Sequence, residues 1–129
     1  MNATSVRKQE SIVAHILLRT DSTLQNAMVG LDLLSILFAR IELLALDSDV
    51  AELASVGSRT LGDALIECRE HAGAGDIIGL VDCLARTASA HRIAKDLLSI
   101  IKEISDVEIG ELAQLGMTLA SSILDDMGA

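Results

Sequence analysis

Between Leu31 and Leu44 the chain is apolar almost all the way round. Asp32, Ser35, Ala39 and Glu42 form one narrow polar stripe at 100° per residue, while Leu31, Leu33, Leu34, Ile36, Leu37, Phe38, Ile41 and Leu44 fill most of the remaining circumference. That periodicity predicts a helix over residues 22–46. Four more follow from the same pattern and from capping chemistry, over residues 5–19, 49–72, 76–104 and 107–127. Ser22 with Gln25, Asp49 with Glu52, and Ser105 with Glu108 each have the spacing of a capping box. Asp76 opens the fourth helix after Gly73 and Gly75, which suit a left-handed helix end. Connections this short make neighbouring helices antiparallel. The expectation is one all-α domain over residues 1–129, an up-down four-helix bundle with an additional N-terminal helix. No internal repeat, linker or low-complexity segment divides it.

Two departures from a simple amphipathic pattern matter. A helix in a small monomeric bundle needs about a third of its surface apolar, and the helix of residues 22–46 has about twice that. The short first helix, through Ile12, Val13, Ile16 and Leu17, supplies part of a cover. The remainder points to a second subunit, because surplus apolar surface of this kind marks an interface. The interface residues expected are Leu33, Ile36, Leu37, Phe38, Ile41 and Leu44, and the state expected is a homodimer, with a helical protein partner as the other occupant. In the helix of residues 76–104, Ile77, Leu80, Val81 and Leu84 define one stripe. Leu97, Ile101 and Ile104 define another, rotated by roughly 100° on 3.6-residue geometry. Between them lies "LARTASAHRIAK", residues 84–95, nearly free of large apolar side chains. A bend, a break or a change of packing partner is expected there.

Composition fits this picture. Half the residues are hydrophobic, proline, tryptophan and tyrosine are absent, and Phe38 is the sole aromatic residue, which favours helices over a turn-rich β fold. The formal net charge of −9 disfavours DNA and anionic membrane surfaces as partners. No uncharged run reaches the ~18 residues of a membrane span. No secretory leader is evident, and two cysteines without an export signal suggest a reducing cytoplasm.

Candidate chemistry is confined to a few residues. Arg86 and His91 have the spacing R-x-x-x-x-H, with Thr87 and Lys95 beside them. This resembles the motif of HEPN-domain ribonucleases, small all-α proteins that cleave RNA without a metal. The resemblance implies proton transfer by His91 and phosphate binding by Arg86, with Thr87 where the family often carries a polar residue; RNA is a partner only on this alternative. Positions five apart point about 140° from each other on a straight helix, so such a site needs a bend or a second chain. His91 and Lys95, one turn apart, also resemble the exposed histidine and lysine of histidine phosphotransfer domains, although the lysine comes one place late and no glycine follows it. "HILLRT" at His15 misses the histidine-kinase pattern by one residue. Cys68 and His71, three apart, with Cys83 across a turn, are a weak candidate zinc set without a C-x-x-C pair. No phosphate-cradling glycine run is present, so no cofactor is expected. The function expected is a non-catalytic interaction module, a homodimer, adaptor or chaperone-like bundle acting through apolar helix surfaces.

Overall fold

The computed structural model describes residues 3–72 and 77–128, and the side chains of all of these except 3–6, 13–14, 16–17, 71–72 and 77. The described residues form a helical bundle of four helices: α1 (Ala3–Leu44), α2 (Ser48–Ala72), α3 (Ile77–Ile104) and α4 (Val107–Asp126). The helices expected over 5–19 and 22–46 are one. Thr20, Asp21 and Ser22 include no glycine or proline to stop the helix, and a cap is useful only where backbone N–H groups are free. Thr23 instead turns its hydroxyl back to the Arg19 carbonyl at 2.9 Å, as threonine does inside a helix.

The other starts lie close to the expected positions but use different caps. Asp47, not Asp49, begins α2: its Oδ1 accepts from the Asp49 N–H at 2.7 Å and the Val50 N–H at 3.3 Å. At α4 the cap is Asp106, not Ser105, with extended backbone and its Oδ1 accepting from the Ile109 N–H at 3.0 Å. A carboxylate there also faces the positive end of the helix dipole. The expected cap Asp76 and the glycines Gly73 and Gly75 lie outside the described residues.

Among the described residues α1 touches all three other helices, whereas α2 and α4 do not meet. Ser35 of α1 bonds Ser58 of α2, Glu67 of α2 pairs with Arg86 of α3, and Lys102 of α3 bonds Gln114 of α4. Across the centre, His91 of α3 reaches the Ala27 carbonyl of α1. Leu24, Leu31, Leu34, Phe38 and Ile41 of α1 are fully buried with Leu61, Leu98 and Ile101. Each such side chain contributes ~1.5–3 kcal/mol through burial. Glycines let the helices close in. The Phe38 ring lies where a Cβ on Gly57 would sit, Leu37 and Leu98 where one on Gly116 would, and Ile123 and His91 where one on Gly30 would.

α3 is a single helix through residues 84–95, without the break that was one of the expectations there. Its buried face runs through Cys83, Thr87, Ala90, Ala94, Leu98 and Ile101, three and four apart. Of the two large-residue stripes only Ile101 lies fully in that face; Leu80, Leu84 and Leu97 flank it half-buried, and Val81 and Ile104 lie half in solvent. The core there is lined by small and polar side chains, which permit the close approach at Gly30.

Candidate functional site

Arg86 and His91 leave α3 on different sides. His91 is fully buried. Its Nε2 lies 3.0 Å from the Ala27 carbonyl, which can only accept, so Nε2 carries the proton and Nδ1 holds a bare lone pair. No described group meets Nδ1. Burial pushes the imidazole pKa down, with the Ala27 hydrogen bond acting weakly the other way, so the ring is neutral. Thr87 is also fully buried and returns its hydroxyl to the Cys83 and Leu84 carbonyls at 3.0 and 2.9 Å.

Arg86 stands half exposed on the α2 side, its Nη1 2.5 Å from Glu67 and its Nε 3.0 Å from Asp82. Those two carboxylates raise its pKa. It borders a shallow groove of about 480 Å³ with Thr60, Asp63, Ala64, Ser89 and Ile93. His91 does not line that groove. Lys95 lies on a different one, between α3 and α4, with Gln114, Thr118 and Asp125. Within one chain, then, Arg86, His91 and Lys95 share no described cavity: the convergence of Arg86 with His91 that the ribonuclease resemblance requires does not occur, and His91 is not the exposed histidine that the phosphotransfer resemblance requires.

Cys68 and Cys83 do meet, buried between α2 and α3, with Cys68 Sγ 3.9 Å from the Cys83 carbonyl. Burial, reinforced by the neighbouring Cys83 thiol, pushes the Cys68 pKa up to about 11, so it is a thiol packed as a small hydrophobe. The His71 side chain lies outside those described. Among the described residues no group of three or more His, Cys, Asp or Glu side chains could hold a metal ion. No described helix is long and apolar enough to cross a membrane.

The candidate interface residues divide. Phe38 and Ile41 are fully buried in the chain's own core, and Leu37 and Leu44 are half-buried against it, so these four are occupied within the molecule. Leu33 and Ile36 are exposed, by 49% and 61%. They belong to a longer outward stripe that the sequence pattern did not single out: Leu18 at 70%, Val29 at 59% and Leu43 at 80%. All five fall within an arc of about 80° at 100° per residue. The signal was present as a seven-residue recurrence of Val29, Ile36 and Leu43, hidden by the density of apolar residues around it. α3 carries a shorter exposed set, Ile93, Ile100 and Ile104. No family model, curated protein or solved structure matches the chain.

Proposed function

We propose that the protein is a non-catalytic helical interaction module, a homodimer or an adaptor or chaperone-like bundle, whose working surface is the outward face of α1 and whose partner presents a helix. The observation that carries this reading is the exposed apolar stripe Leu18, Val29, Leu33, Ile36 and Leu43 on one helix. A seven-residue recurrence drifts by about 20° per heptad on a straight α-helix and stays in phase only against another helix, by supercoiling. The inward-facing, singly satisfied His91 and the ion-paired Arg86 support an architectural role for the segment of residues 84–95. The buried, unpaired thiols suit a reducing, cytoplasmic setting.

The test is whether the stripe belongs to the chain's own stability. In the double variant Leu33→Glu/Ile36→Glu, helicity is retained and thermal unfolding, at a dilution where the parent sediments as a single chain, stays within a few degrees of the parent, since exposed helix positions cost under ~1 kcal/mol. A fall of more than about 10 °C, as for a deleted core contact, would show that the face is used within the chain. That outcome would sink the reading whatever the partner.

A further inference from the structure

Resting on that reading, we infer that the occupant of the α1 face is a second copy of this chain, its α1 lying antiparallel to the first. Three observations converge on this, and they concern area, shape and charge.

The chain exposes 7798 Å². A compact monomer of 13.6 kDa exposes roughly 6,600 Å² on the size scaling of folded proteins. The five stripe residues together expose roughly 600 Å² per copy, about 1,200 Å² for two, which reaches the lower edge of stable interfaces before flanking contacts are added.

The shape is that of a helix longer than its bundle. Thr23, Asn26 and Ala27 pack beside Asp126 and Met127, so the end of α4 is level with Thr23. The Ser35–Ser58 contact sets the α1–α2 register, which puts the end of α2 level with about residue 21 at 1.5 Å per residue. Earlier residues of α1 run past both of these ends, beside only the start of α3, which the His91–Ala27 contact places level with about residue 13, and Arg7, Lys8, Ile12, His15, Leu18 and Arg19 are all exposed there. In an antiparallel pair centred on the stripe, Leu18 of each copy meets Leu43 of the other, the two most exposed residues of the five covering each other.

Charge selects the direction. Residues 1–20 contain Arg7, Lys8 and Arg19 against Glu10, a net +2, while the remaining residues carry −11. At the other end of the stripe, residues 42–52 hold Glu42, Asp47, Asp49 and Glu52 and no cation. Antiparallel pairing lays the basic start of each α1 beside the partner's acidic turn. Parallel pairing would set start on start and turn on turn, a like-charge arrangement that specific interfaces avoid.

The experiment has two readouts on the intact chain. Sedimentation at about 200 µM, enough to pair most chains even at a Kd of ~10 µM, should give twice the 13.6 kDa chain mass. The Leu33→Glu/Ile36→Glu variant should give the single-chain mass. A spin label on Ser48→Cys, exposed and off the face, should then report a label-to-label distance of roughly 45 Å in an antiparallel pair and under ~25 Å in a parallel one, from the helix rise and interaxial spacing. A parent that remains monomeric at this concentration overturns the second-copy inference. A dimer that survives the double substitution overturns the interface, and the short distance overturns the direction. Only the melting experiment above decides against the wider reading, so the two failures are distinct.

Discussion

His91 has one nitrogen donating to the Ala27 carbonyl and one buried lone pair with no described partner. Protonating Nδ1 would create a buried cation with an unpartnered N–H, which is why its pKa is held below the usual 6.5. The linkage has a definite sign. The unfolded chain binds this proton more readily than the folded one, so the stability contributed by neutral His91 is whole above pH 6.5. It is lost progressively as the pH falls from there towards the lower folded-state pKa. In His91→Gln the amide N–H can still donate to Ala27 but takes up no proton. The variant should be less stable at pH 7.5, by ~1–2 kcal/mol from imperfect packing. Its stability should nonetheless change less than the parent's between pH 7.5 and 5.5. Urea unfolding at the two pH values measures this, and equal losses in parent and variant would show that His91 does not govern the acid limb. Arg86 sets the contrast, since its two ion pairs are half in water and such pairs contribute little.

Among the elements, the glycines divide by what stands over them. A Cβ on Gly30 would overlap Ile123 and come within 2.9 Å of the His91 ring, while one on Gly62 meets nothing within 4 Å. Gly30→Ala should therefore destabilise by ~1–3 kcal/mol through overpacking, and Gly62→Ala should stabilise by up to ~1 kcal/mol through helix propensity. Chemical denaturation of both variants checks the pair, and a stabilised Gly30→Ala would refute the close α1–α4 approach. These crossings also show how much was legible beforehand. Large apolar residues at helical spacing gave the all-helical bundle, and the capping-box spacings at Asp49/Glu52 and Ser105/Glu108 placed the starts of α2 and α4 to within a residue or two. Asp47 and Asp106 displaced Asp49 and Ser105 because a cap is chosen by local backbone geometry, which spacing alone does not contain. Ser22 had a capping box but no chain break to cap, so α1 ran through it. In α3, counting only large apolar residues concealed a core face made of Thr87, Ala90, His91 and Ala94. A helix packed against a glycine needs small residues, and hydropathy gives those little weight.

For the whole molecule, the question is which apolar surface folds the chain and which is left over. The sequence pattern treated Leu33, Ile36, Leu37, Phe38, Ile41 and Leu44 as one association surface, because density of apolar residues does not reveal where neighbouring helices stand. The fold separates them. Phe38 and Ile41 point into the bundle at full burial, Leu37 lies over Gly116, and Leu33 and Ile36 point out. Charges introduced at the two groups should therefore have different consequences. Leu37→Asp/Ile41→Asp places one carboxylate at a fully buried position and another against a helix crossing, with no cation described in that core. An unpaired buried charge costs several kcal/mol, so the one at Ile41, with the half-buried one at Leu37 added, takes up much of a typical domain stability of ~5–15 kcal/mol. The double substitution should abolish cooperative melting and much of the helical circular dichroism, rather than yield a folded monomer. Leu33→Glu/Ile36→Glu should keep both signals. If Leu37→Asp/Ile41→Asp instead melted cooperatively within a few degrees of the parent, α1 would have to be rotated from the orientation described, with the Ile41 side turned outward. The outward stripe would then be the chain's own core, and the argument for a second copy would fall with it.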